Sequence, residues 1–226
     1  MTTATRRLAV AISSRPTPPS DREQGMAIIE AIVSTFILAI MLTFVFAGIN
    51  SMSNAIQGSD NRTTNLTEAR LLMDSTTKDL RTATRLQAGT SPFLLASATE
   101  VKFYGNINRT TGPNLVWIYV DAQSRLVESV TAPDASSVAP NYTYSGSAFT
   151  RFVGRYIVNP VATPIFTYYD GNGVKLTAPL SATDRLAVRS VGIQMVIRKS
   201  TVHSVAPTTL VSRVRLPNLD YRIVAG

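Results

Sequence analysis

Residues 26–49 read MAIIEAIVSTFILAIMLTFVFAGI, and this apolar run decides the first part of the fold. It holds twenty-four residues and a single charge, that of Glu30. An α-helix rises ~1.5 Å per residue, so the run is long enough to cross a hydrocarbon layer ~30 Å thick. A carboxylate within such a run is costly unless another group pairs with it. The run therefore predicts one membrane-spanning helix and marks Glu30 as a candidate functional residue.

The residues before the run, 1–25, form a polar, basic and proline-rich leader. The leader ends in Asp21-Arg22-Glu23-Gln24-Gly25 and has no apolar stretch long enough to insert by itself. Its four basic residues are best explained as charges kept on the cytoplasmic side of the membrane. These residues are Arg6, Arg7, Arg15 and Arg22. The leader is therefore predicted to be cytoplasmic, and the part of the chain after the membrane helix is predicted to lie outside the cytoplasm.

A charged leader, a glycine and an apolar helix with glutamate as its fifth residue together resemble the cleavage and methylation signal of type IV prepilins. In that family a membrane peptidase cuts after the glycine and methylates the new N-terminus. The resemblance implies that Gly25 is the last leader residue, Met26 the methylated first residue and Glu30 the fifth-position glutamate. Met26 stands where most members have Phe. Ala47-Gly48 stands where major pilins usually carry a helix-kinking Pro, which argues for a minor subunit.

The resemblance also suggests what Glu30 does. The amine of Met26 and the carboxylate of Glu30 are too close along one helix to serve each other well, but an incoming subunit can bring its own amine to this Glu30. Burial of both charges then depends on the correct stagger between subunits. The expected partners are other pilin or pseudopilin subunits, the prepilin peptidase, an inner-membrane assembly platform and the membrane itself.

Two other interpretations of the N-terminal region stay open. One is an ordinary secretory signal peptide cleaved near Val45-Phe46-Ala47, and the other is a signal anchor that is never processed. Against the signal peptide, the apolar run is about twice as long as a typical central region of ~7–15 residues. The run also contains a carboxylate, and a proline-rich stretch separates it from the basic residues.

Residues 50–88 are predicted to continue the helix in amphipathic form. Met52, Leu66, Met73 and Leu80 fall on one heptad row, with Ala69 and Ala83 on a neighbouring row. No proline occurs between Met26 and Ser91, so one helix is predicted from Met26 to about Leu86. A helix with an apolar first half and one apolar stripe in its second half suits a stem on which a globular head docks.

Residues 89–226 are predicted to form a β-rich head. Asp170-Gly171-Asn172-Gly173 is a strong hairpin turn, and 133–147 is predicted to be an exposed loop. The fold class is thus α+β, with a long N-terminal helix packed on an antiparallel sheet. The predicted strands are Thr99–Tyr104, Leu115–Val120, Arg125–Val130, Arg151–Val158, Ile165–Tyr169, Leu186–Arg198 and Thr209–Leu216.

A second, looser resemblance covers most of the chain after the leader. The segment from Glu68 to Ala83 is similar to the region after the membrane helix in J-type pseudopilins of type II secretion systems and in W-type minor pilins. Pro164–Asp170, Val188–Ile193 and Leu210–Asn218 resemble the closing strands of the same group. Such subunits sit near the filament tip and help to start assembly. The resemblance implies a minor pilin or pseudopilin of a type IV pilus, a competence filament or a type II secretion-like filament.

Composition and motifs give no support for catalysis. The chain has no cysteine and one histidine, His203, and it lacks a nucleophile elbow, a phosphate-binding glycine loop and a metal-ligand spacing. We therefore expect no enzyme activity, small-molecule substrate, cofactor or metal. The formal net charge of +8 raises the question of nucleic acid, but basic and acidic residues alternate along the amphipathic helix, so nucleic-acid binding is unsupported. The alternative function is a membrane-tethered β-rich module that binds a surface, a sugar or DNA.

Overall fold

The structure is a computed structural model that describes residues 21–107, 112–199 and 206–219, with side chains from Gly25 onward. Contacts within the chain divide it into two units, 1–53 and 54–226. Predictions that concern the first twenty residues of the leader, and the expectation for His203, lie outside the described residues.

Helix α1 runs without a break over Asp21–Arg81. It begins five residues before the apolar run and ends five residues before the predicted end at Leu86. It ends there because the next backbone groups pair with a strand: the Thr84 N–H donates to the Tyr104 carbonyl at 2.8 Å, and the Asn106 N–H donates to the Thr82 carbonyl at 3.1 Å. The Thr82 hydroxyl also donates to the Asp79 carbonyl at 2.6 Å, which satisfies a terminal carbonyl of the helix.

The second unit contains two antiparallel sheets. The first has five strands in the order β1-β2-β3-β4-β5, and the second has four in the order β7-β6-β8-β9. A short helix, α2 at Ala182–Ala187, precedes β8, and a 3-10 turn at Pro217–Leu219 follows β9. The strands are β1 Phe93–Ala96, β2 Glu100–Gly105, β3 Asn114–Val120, β4 Leu126–Thr131, β5 Phe149–Gly154, β6 Phe166–Tyr169, β7 Lys175–Leu176, β8 Ser190–Ile197 and β9 Thr208–Arg215.

The α+β class, the long N-terminal helix and the antiparallel pairing are confirmed. Strands β2, β3, β4, β6 and β9 lie within one residue of their predicted bounds, and 133–147 lies between β4 and β5 and holds no strand. The hairpin between β6 and β7 is also confirmed, with Tyr169 opposite Lys175. Two strand predictions were wrong in their bounds. β5 ends at Gly154 and not at Val158, and β8 begins at Ser190 because Leu186 belongs to α2.

Strand β1 and helix α2 were not predicted. α2 has a readable start signal, because Ser181 precedes it as the N-cap and its hydroxyl oxygen accepts from the Asp184 N–H at 3.1 Å. The same hydroxyl donates to the Asp184 carboxylate at 2.8 Å. This Ser-x-x-Asp spacing resembles a capping box and outweighs the strand pattern that the apolar residues around Leu186 suggested.

The core of the second unit includes one face of α1. Ala69, Leu72 and Leu80 are fully buried in a cluster with strand residues from both sheets, and Ala83 joins them just after the helix ends. The predicted heptad row was only partly right, because Leu66 and Met52 are exposed. The buried face follows the 3.6-residue period of a straight helix, which drifts from a strict heptad, so Asn65 is buried and its neighbour Leu66 is not.

The contact between Gly154 and Leu72 gives a prediction about stability. A Cβ at Gly154 would lie 2.7 Å from the Leu72 Cδ2 atom, so Gly154→Ala is expected to destabilise the fold by ~1–3 kcal/mol. Leu72→Ala alone is expected to cost ~2–5 kcal/mol. The double variant should lose clearly less stability than the two single losses added together, because alanine at position 72 makes room for the new methyl group at position 154.

Urea unfolding of the full chain in detergent micelles measures all three variants. Gly146→Ala is the control, since a Cβ there meets nothing within 4 Å. Strict additivity of the two substitutions would contradict the predicted packing.

Candidate functional site

Gly25, Met26 and Glu30 lie on one continuous stretch of α1. Gly25 is inside the helix and exposed, and a Cβ built on it would meet nothing within 4 Å. Met26 and Glu30 are four residues apart, so they lie on the same helical face one turn from each other. None of the side chains described from Gly25 onward forms a hydrogen bond or ion pair with the Glu30 carboxylate.

The helix around these residues exposes apolar side chains on every side. Such a surface is far larger than a soluble monomer leaves uncovered, so lipid or other protein must cover it. Among the described residues, one helix is long and apolar enough to cross a membrane, and it is this one. The exposed large apolar residues between Met26 and Ile49 are Ile28, Ile29, Ile32, Val33, Phe36, Ile37, Leu38, Ile40, Met41, Leu42, Phe44, Val45 and Phe46.

Two hydroxyl groups in this stretch are satisfied within the helix itself. Thr35 Oγ1 donates to the Ala31 carbonyl at 2.7 Å, and Thr43 Oγ1 donates to the Ala39 carbonyl at 2.9 Å. Since hydrocarbon offers no hydrogen-bonding partner, this arrangement makes both threonines compatible with a membrane interior. The carboxylate of Glu30, the one charged group of the run, has no comparable partner among the side chains described from Gly25 onward.

A row of small residues recurs at every fourth position of the same stretch. Small side chains at this spacing let a second helix approach closely, which favours helix–helix packing inside lipid. This row was not predicted, although its spacing is readable from the sequence alone. Its members are Ala27, Ala31, Thr35, Ala39, Thr43 and Ala47.

The second unit contains a buried carboxyl pair that no sequence pattern indicated. Asp79 on α1 and Glu128 on β4 are 4% and 1% exposed. Arg151 on β5 forms an ion pair with Glu128 and lies 3.8 Å from the Asp79 carboxylate. Burial, the nearby charge of Glu128 and a hydrogen bond with Glu128 raise the pKa of Asp79 to about 7, against the opposing effects of Arg151 and Lys78. One arginine thus faces two buried acids. Arg151 pairs with Glu128, and Asp79 keeps its proton to a higher pH than an exposed aspartate does.

No group of three or more His, Cys, Asp or Glu residues is placed to hold a metal ion within residues 25–107, 112–199 and 206–219.

The Trp117 indole N–H donates to Glu100 at 3.0 Å, and its ring packs on Tyr119 with centroids 4.3 Å apart. These rings are therefore held by their own neighbours.

Comparisons with known proteins found no similar chain: no family model, no curated protein and no solved structure matches. The family resemblance of the N-terminal region rests on its sequence motif.

Proposed function

We propose that this chain is a minor pilin or pseudopilin, made as a single-pass membrane precursor and assembled into a type IV pilus or a type II secretion-like filament. The observation that carries the proposal is a continuous exposed apolar run, 26–49, whose single carboxylate, Glu30, lies one turn after Met26 and pairs with none of the side chains described from Gly25 onward. An anchor alone needs no charge at that depth, where a carboxylate is costly. A helix that must recognise a neighbouring subunit can use such a charge, because the neighbour can supply its partner.

The proposed mechanism is packing and involves no reaction at the head. Cleavage between Gly25 and Met26 adds water to the peptide bond and leaves a cationic amine on Met26. Within the filament this amine pairs with the Glu30 carboxylate of a neighbouring subunit, because both charges would otherwise be buried alone. The row of small residues from Ala27 to Ala47 lets neighbouring helices come close enough for that pairing.

The position in the filament follows from the same features. The chain lacks the proline that kinks the helix of major pilins and carries Ala47-Gly48 instead, which supports a minor subunit that starts or caps assembly. The head, 89–226, lies outside the cytoplasm in this proposal, within a surface or periplasmic filament. Its partners are other pilin-type subunits, the prepilin peptidase and the inner-membrane assembly platform.

The mature N-terminus tests the proposal directly. Intact-mass and N-terminal peptide analysis of the protein from its own cells should give a chain that starts at N-methyl-Met26. Gly25→Val should leave the precursor uncut without disturbing the helix, because the position is open on all sides. A start near Gly48, as for a signal peptide, or an intact Met1, as for a plain anchor, would overturn the proposal.

A further inference from the structure

The two sheets expose four edge strands, and three of them are protected. On β1, Arg185 donates to the Leu94 carbonyl and the Leu180 N–H donates to the Ala96 carbonyl at 2.9 Å. β7 is only two residues long. β9 carries exposed Arg213 and Arg215, and charged side chains are a common way to keep another strand from pairing with an edge.

β5 is a six-residue edge with one charged side chain and one irregularity in its register with β4, and no described group caps its outer backbone. It pairs with β4 on one side, and in the described part of the chain its other side makes no backbone hydrogen bond. The strand contains neither proline nor lysine. Its one charged residue, Arg151, is turned toward Asp79 and Glu128. Among the described residues, the outward N–H and C=O groups of this six-residue strand therefore have no backbone partner.

Apolar surface accompanies this open backbone. Phe149 and Phe152 are 69% and 62% exposed, and Leu71 of α1 is exposed beside Phe149 along a groove of about 450 Å³. Aromatic side chains exposed on an open edge are what a protein interface buries. Only another extended backbone can satisfy the open polar groups of a strand while covering its side chains.

The charges next to β5 indicate which kind of strand fits. Three arginines lie on or beside it: Arg151 within the strand, Arg155 just after it, and Arg125, which packs on the Phe152 ring. Each is more exposed than the carboxylate with which it pairs. In each ion pair the guanidinium group is thus the more accessible partner. The accessible side of these pairs is cationic, which complements acidic residues on an incoming strand.

We propose that β5 is a docking edge for an extended segment of a neighbouring subunit in which acidic residues alternate with apolar ones. The incoming strand extends the first sheet by backbone hydrogen bonds; its apolar side chains cover Phe152 on one face of the sheet, and its carboxylates meet Arg151 on the other face. The identity of the partner as a filament subunit rests on the proposed function. The recognition chemistry of the edge does not depend on that function.

Three labelled hexapeptides test the edge on the full chain in detergent micelles, by fluorescence anisotropy. The first alternates valine with glutamate, the second alternates valine with lysine, and the third repeats the first with every backbone nitrogen methylated. We expect the first to bind and the other two to bind at least tenfold more weakly, since they lack the charge match or the backbone donors. No binding of the first peptide, or equal binding of all three, overturns the proposal.

Two matched variants locate the site. Phe152→Asp places an acid on β5, and Val211→Asp places one at an equally exposed position on β9. The β5 variant should weaken binding of the glutamate peptide at least tenfold, and the β9 variant should leave it unchanged, with near-native circular dichroism for both. The reverse pattern would place binding on β9 and refute the assignment to β5. Failure of the proposed function shows in the N-terminal mass and not in these affinities, so the two are distinguishable.

Discussion

Glu30→Ala is expected to abolish incorporation into filaments while leaving processing at Gly25 intact. Removing one partner of a buried ion pair leaves the other charge buried and unpaired, which costs ~3–5 kcal/mol. The affinity between subunits should therefore fall more than about a hundredfold. The precursor itself should be unaffected, because no described side chain depends on Glu30. The measurement is the amount of protein in sheared filaments relative to the membrane fraction, by immunoblot.

Two further variants separate charge from shape. Glu30→Gln keeps the size of the side chain but removes its charge, so it should behave like the alanine variant. Ser34→Ala, one turn further along the same helical face, removes a polar group without removing a charge and should leave incorporation normal. Normal incorporation of Glu30→Ala would contradict the proposed pairing.

Stability of the second unit is expected to fall as the pH rises from about 4 to 8, through the buried pair of Asp79 and Glu128. The pKa of Asp79 is about 7 in the folded state, against its ordinary value of 3.8 in the unfolded chain, so between these pH values the folded state holds a proton that the unfolded state releases. The stabilisation is complete below pH 3.8 and is lost as the pH rises through 7. The full loss is on the order of 4 kcal/mol.

Asp79→Asn tests this linkage, because the amide stays uncharged and can still donate to Glu128. The variant is expected to lose most of the pH dependence and to exceed the natural chain in stability at pH 8 by on the order of 2 kcal/mol. Urea unfolding of the full chain in micelles, followed by near-UV circular dichroism at pH 5 and pH 8, gives both values. Asp74→Asn changes an exposed carboxyl group on the same helix and is the control. An unchanged pH profile in Asp79→Asn would show that the pH dependence does not come from Asp79.

Local signals explain why much of the second sheet could be predicted. The turn at Asp170 is encoded by four consecutive residues: its carboxylate accepts the N–H groups of Asn172 and Val174 at 2.9 and 2.8 Å, and Gly173 has φ +82°. Such a turn fixes the register of the strands beside it. β1 has no comparable local signal, because its four residues are held by pairing with β2 and by Arg185 and Leu180.

The sequence by itself determined the membrane-length apolar helix, the position of its single carboxylate and the α+β class, because all three depend on periodicity and on residues close together in the chain. Only the tertiary structure decided which face of α1 is buried, that Asp79, Glu128 and Arg151 meet, and that β5 stands at the edge of the first sheet. These features join residues that are dozens of positions apart. Their contacts depend on the packing of whole elements, which no local pattern records.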